Sequence, residues 1–168
     1  MISLHRIFPE CCADTFLVSL LFQKEMVADY HGIGDVSNAM EKYFGDEFII
    51  GLIDTDKFKR PDPKYLRNYT EILIDKRNEE GLIVLNMPGS NRHLIRLHPA
   101  FEKWIYAAAE ICNINPSDYG FVAFEKFCKE SKKTGVAQNN NVRNFIQAII
   151  DNNPPAIQTL RFWLSKVL

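Results

Sequence analysis

Four acids stand out in this chain by where they fall: Glu10, Asp14, Asp54 and Asp56. Glu10 follows a short, partly β-prone segment over residues 3–8 that Pro9 brings to an end. Asp54 and Asp56 follow the run Phe48-Ile49-Ile50-Gly51-Leu52-Ile53, the clearest strand in the sequence. At a strand end, residues at i and i+2 point the same way, so Asp54 and Asp56 share a side. Clustered carboxylates repel unless something neutralises them, and a hard cation with oxygen ligands does so directly. Open α/β sheets gather functional groups beyond the carboxyl ends of their strands. The pattern therefore predicts a divalent-cation site, for Mg²⁺ or Mn²⁺, where two strand ends meet.

The elements that must position these acids read as follows. Residues 14–24 carry Phe16, Leu17, Leu20 and Leu21 at helical spacing, with Asp14 as an N-cap or a first-turn acid favoured by the helix dipole. Residues 26–30 are a candidate second strand, and His31-Gly32-Ile33-Gly34-Asp35 is a turn into a helix over 36–44. The run from Phe48 to Ile53 is apolar throughout rather than alternating, which predicts a central parallel strand covered on both faces. A loop with Pro61 and Pro63 leads to a helix over 65–77, then two strands over 82–86 and 93–97 around the Gly89-Ser90-Asn91 turn. Residues 99–114 form a strong helix and 117–131 a partly helical stretch, while 132–141, with three consecutive asparagines, reads as loop or disorder. Two helices over 144–152 and 155–168, separated by Pro154-Pro155, end the chain. The order predicts an α/β fold: a mainly parallel, Rossmann-like sheet flanked by helices, with a helical C-terminal cap. One domain spans 1–168, its α/β core over 1–98 and its helical part over 99–168.

Composition narrows the class. The chain has 168 residues, 46% of them apolar and 24% charged, with a formal net charge of −1, which is ordinary globular composition. An autonomous nucleic-acid binder is usually strongly basic, so any such contact must come from a local patch or a partner. Cys11, Cys12, Cys112 and Cys128 form no Cys-x-x-Cys pair, so they read as small buried hydrophobes in a reducing compartment rather than zinc ligands. The first residues lack the pattern of a signal peptide, and no apolar run approaches the roughly 20 residues that span a bilayer. The expectation is a cytoplasmic protein without a membrane segment.

Taken together, Glu10, Asp14 at the head of an apolar helix, and Asp54-Thr55-Asp56 after an apolar strand resemble the topoisomerase–primase (TOPRIM) domain family. The resemblance covers residues 3–57 and looks most like the compact TOPRIM-like nucleases, including those of the overcoming-lysogenization-defect (OLD) type. The family commonly has Gly after its glutamate, where this chain has Cys11. The resemblance implies that Glu10 is a general acid/base or a metal ligand, that Asp54 and Asp56 hold Mg²⁺ or Mn²⁺, and that Asp14 supports the site from behind the ligands. The metal would activate water and stabilise a phosphoryl transition state.

Other residues carry two readings each. Lys57, with Lys59 and Arg60, is placed to neutralise a substrate phosphate, or is a solvated loop. His31 is a phosphate contact or proton relay, or, preferred, a turn residue. Glu102, in the segment His98-Pro99-Ala100-Phe101-Glu102-Lys103-Trp104, is a remote metal ligand or, preferred, a first-turn acid, and Trp104 belongs to the core. Lys126, Lys129, Lys132 and Lys133, with Phe124 and Phe127 interleaved, suit a nucleic-acid backbone, but Glu125 and Glu130 dilute them and a solvated face is the default.

The sequence thus predicts a Mg²⁺- or Mn²⁺-dependent phosphodiesterase, a nuclease rather than a topoisomerase or a complete primase, with Glu10 and Lys57 in catalysis and Glu10, Asp54 and Asp56 on the metal. The alternative is a non-catalytic or regulatory module of the same fold acting with a partner such as an ATPase. A phosphotransfer receiver is a weaker third reading, because no acceptor aspartate and lysine pair follows on the later strands.

Overall fold

The computed structural model describes residues 4–26, 30–55 and 61–168. Among these residues five strands form one sheet in the order β1-β2-β5-β4-β3: β1 Ile7–Pro9, β2 Ile49–Asp54, β3 Glu71–Lys76, β4 Leu82–Asn86 and β5 Arg92–Leu97. β1 and β5 run parallel to β2 on either side of it, whereas β4 pairs antiparallel with β5 and β3 antiparallel with β4. The fold is α/β as expected, but among the described residues the sheet is evenly mixed rather than mainly parallel.

Among the described residues the difference lies in 65–77. The stretch expected to be a helix over 65–77 is instead a 3₁₀ turn, Lys64–Asn68, followed by β3. Ile72, Leu73 and Ile74 sit together in β3, and β-branched side chains favour a pleated surface. What settles their state is a partner. The chain turns back through residues 77–81, where Gly81 takes a left-handed φ of 66°, and β4 lies alongside. A Cβ on Gly81 would stand 2.9 Å from the His98 carbonyl oxygen and 2.9 Å from Trp104 Cδ1, so only glycine fits. The candidate strand over 26–30 falls largely on residues 27–29, outside the described residues.

Among the described residues six α-helices accompany the sheet: α1 Cys12–Phe22, α2 Ile33–Lys42, α3 Phe101–Ile111, α4 Phe124–Ser131, α5 Asn140–Asn152 and α6 Pro155–Ser165. One face of the sheet, with Ile7, Ile50, Leu52, Val84, Ile95 and Leu97, packs against α1, α3, α5 and α6 in the larger core cluster. The other face, with Phe8, Ile49, Ile53 and Leu94, packs against Val36 and Met40 of α2 and against Leu66 and Tyr69. β2 is therefore covered on both sides, as its uninterrupted apolar run predicts. A Cβ on Gly51 would come within 2.6 Å of Met40 Sδ, so this glycine lets α2 seat directly on the strand. The asparagine run holds more order than a loop: Val136–Gln138 is a 3₁₀ turn, and Asn139 caps α5 by accepting from the Asn141 and Val142 amides at 3.1 Å each. No helix among the described residues is long and apolar enough to cross a membrane.

Candidate functional site

β1 and β2 are neighbours running the same way, so their carboxyl ends lie side by side. The ladder continues one step past β1, where the Glu10 amide donates to the Leu52 carbonyl at 2.9 Å. This sets Glu10 level with the end of β2, and its Oε2 accepts from the Asp54 amide at 2.8 Å. Asp54 in turn accepts, through Oδ1, from the Phe101 amide at 2.8 Å. That amide opens α3, whose N-cap residue, Ala100, has no side-chain acceptor of its own. Asp54 thus serves α3 as a capping group from another element.

Three helix N-termini converge on these acids. α1 starts directly after β1, α3 starts at the Asp54 contact, and Gly32, the N-cap of α2, donates its amide to the Glu10 carbonyl at 3.0 Å. Each N-terminus carries roughly half a positive charge, which favours anions nearby. Sequence spacing alone could not reveal that convergence, because it depends on how the sheet orders its strands.

Asp14 lies in the first turn of α1, whose N-cap is Cys11, and it is completely buried. The Cys11 thiol donates to its Oδ2 at 3.2 Å, while Oδ1 has no hydrogen-bond partner among the described residues. Burial first, and then the negative charges of Asp54 and Glu10, hold the Asp14 carboxyl well above the usual carboxylate range. Burial also pushes the Cys11 thiol up, with the Asp14 charge adding to it. The pairing of Cys11 with Asp14 was not part of the sequence reading. Its one visible signal is a thiol at the N-cap position with an acid three residues on.

The remaining candidates divide. Asp56 and Lys57, with Lys59 and Arg60, lie outside the described residues. His31 sits in the turn before α2, its amide donating to Asp35 Oδ2 at 3.0 Å. Glu102 is a buried first-turn acid of α3, accepting from Ser131 Oγ at 3.4 Å and pairing with Lys132 Nζ at 3.6 Å. Trp104 is core, donating from its ring nitrogen to the Glu80 carbonyl. Arg96, which the sequence reading passed over, is the Cα partner of Ile53 on β5 and forms an ion pair with Asp62. A lone charge between Ile95 and Leu97 was the signal for it. Arg96 and Glu10 flank Ile53 across the same end of the sheet.

Among the described residues no three His, Cys, Asp or Glu side chains are grouped to hold a metal ion. The donor chemistry nevertheless suits a hard cation: the acids offer oxygen alone, their charges oppose one another, and Asp14 has a buried oxygen without a partner. No protein-family model, curated protein or solved structure matches the chain.

Asp14 gives a direct test of this electrostatic picture. Its folded-state pKa lies above its unfolded value, so unfolding releases a proton once the pH exceeds the ordinary value of 3.8. Stability then falls as pH rises from that value towards the folded-state pKa. Asp14→Asn removes the titration, and its amide can donate to the neighbouring carboxylates. At neutral pH the variant is expected to be more stable by on the order of 2 kcal/mol, or ~4–8 °C. The advantage should shrink towards pH 4. Melting curves across that range in which the variant never exceeds wild type would refute the strain.

Proposed function

We propose that the chain is a divalent-metal-dependent phosphodiesterase acting on nucleic acid, built on a TOPRIM-like arrangement and working in the cytoplasm. In this reading Asp54 and Asp56 hold Mg²⁺ or Mn²⁺, Glu10 moves the proton, and Lys57 neutralises the substrate phosphate. The metal, when bound, supplies an activated water and charge stabilisation. The observation that carries the reading is the 2.8 Å bond between the Asp54 amide and Glu10 Oε2, because it joins acids from two parallel strand ends at one edge of the sheet. Burial behind them raises the Asp14 carboxyl's pKa, which favours its neutral form and so lowers the negative charge the cation has to meet. All four cysteines are free, in keeping with a reducing compartment.

A second reading is a regulatory module that works with a partner such as an ATPase. It draws on the fact that Glu10 and Asp54 each already accept an amide hydrogen bond that ties elements of the fold together.

Titration calorimetry with Mg²⁺ and Mn²⁺ tests the metal site apart from turnover. Asp54→Asn keeps an oxygen for the Phe101 amide but removes a charge. Metal affinity is expected to fall by roughly tenfold or more. Equal affinity in variant and wild type would remove Asp54 from the site.

A further inference from the structure

β3 has β4 on one side and, among the described residues, no strand on the other. Its sequence is Glu71-Ile72-Leu73-Ile74-Asp75-Lys76, with Ile72 58% exposed and Leu73 38% exposed. Edge strands usually discourage pairing with charge along their length. Here the centre is apolar, with Glu71 at one end and Asp75 and Lys76 at the other.

The register of β3 on β4 adds a further fact. Glu71 faces Asn86 and Ile72 faces Leu85, whereas Ile74 faces Val84, Asp75 faces Ile83 and Lys76 faces Leu82. Leu73 is an extra residue, a β-bulge. In a regular strand, residues 71 and 76 would point to opposite faces. The bulge cancels one step: Asn86 and Leu82 share a face of β4, so their partners Glu71 and Lys76 share it too. By the same count Ile72 and Asp75 share the other face.

We propose that β3 is the interface of a homodimer, in which two copies pair antiparallel through this strand and join their sheets into one. A two-fold axis normal to the sheet keeps each face continuous, so only residues of the same face can oppose each other. The bulged strand meets that condition with Glu71 opposite the partner's Lys76 and Lys76 opposite the partner's Glu71. The same register sets Ile72 opposite the partner's Asp75, which share the other face. The occupant argued for is a second copy of this chain because Glu71 and Lys76, on one face at the two ends of the strand, complement each other under that operation. Ile72 and Leu73 lose their exposure in the pair. A single strand pair lies near or below the ~1,200 Å² lower end of stable interfaces, so the dimer is weak, with a Kd on the order of 10–100 μM.

Sedimentation equilibrium of the full chain from about 5 to 500 μM tests this, spanning that expected Kd. Wild type is expected to show a reversible monomer–dimer equilibrium. Glu71→Lys alone sets lysine against lysine at both ends of the pair, and Lys76→Glu alone sets glutamate against glutamate. Each should associate at least tenfold more weakly than wild type. An equimolar mixture restores opposite charges at both ends and should recover the dimer as a heterodimer. Circular dichroism checks each variant's fold, because Lys76 also bonds Glu80 at 2.7 Å and Glu71 accepts from Asn86 at 2.9 Å. A wild type that stays monomeric throughout overturns the proposal, as does a dimer that neither variant weakens. Two weakened variants that do not rescue each other overturn the pairing.

Discussion

Glu10→Gln is expected to lower divalent-metal-dependent cleavage of nucleic acid by roughly 10²–10⁴-fold while the fold stays intact. The fold should survive because the glutamine oxygen can still accept from the Asp54 amide, the bond that Glu10 Oε2 accepts at 2.8 Å. The chemistry should fail because an amide neither takes a proton nor neutralises a cation. Conditions matter for the measurement. The chain carries a formal net charge of −1, so any hold on a polyanion would rest on a few local cations and weaken steeply with salt. Single- and double-stranded DNA and RNA should be tried at low salt with Mg²⁺ and Mn²⁺ in turn. Cleavage that persists in Glu10→Gln, or in excess chelator, would assign the activity to another site or a contaminant. Metal binding with no cleavage of any substrate would favour the regulatory module.

The second large effect is on stability and starts far from the acids. Phe145 of α5 is fully buried, with its ring centroid 5.5 Å from that of Tyr106, 5.6 Å from Tyr119, 5.8 Å from Phe121 and 5.4 Å from Phe127. It joins α3, α4 and the turn between them to α5. Phe145→Ala would leave a cavity that rigid rings on several sides cannot close, and such truncations cost about 3–5 kcal/mol. In a chain of this length that is a drop of ~6–20 °C in Tm. The loss should also reach the acids, because Phe127 stacks on Phe101 and the Phe101 amide holds Asp54. Calorimetry together with metal titration of the variant measures both effects. A Tm within a degree or two of wild type would show that the cluster is not where α5 is anchored.

Much of the frame was legible in the sequence. β2 announced itself because a strand buried on both faces needs apolar residues at every position, and residues 49–53 supply them. α1 and α3 were legible through their apolar spacing, and the start of α6 through Pro154-Pro155. β3 was not, since Ile72, Leu73 and Ile74 suit either state locally and only the hairpin with β4 decides between them. That single misreading also turned a mixed sheet into a mainly parallel one. Asn139 reads as loop in the sequence because an asparagine run looks the same whether it caps a helix or merely interrupts one. At the site, acids at two strand ends and the resemblance they carry lead to the expectation that Glu10 and Asp54 lie together; that β1 and β2 are neighbours depends on the strand order of the sheet. The burial of Asp14 did not, because an acid at a helix start is ordinarily solvated, and here the surrounding core removes its water.

The sheet also has two histories built into it. β3, β4 and β5 form a meander of near neighbours in sequence, closed by short turns. The acid site has no such locality: its two defining bonds join residues 44 and 47 positions apart. Closing long loops costs entropy before any contact repays it, and topologies rich in distant pairings fold slowly for that reason. The meander is therefore the natural early structure, and the strand ends that bear Glu10 and Asp54 come together late. On that order the mutual repulsion of the acids would be met only once the core is largely in place, and the charged cluster is expected to add little to the barrier that the folding chain must cross.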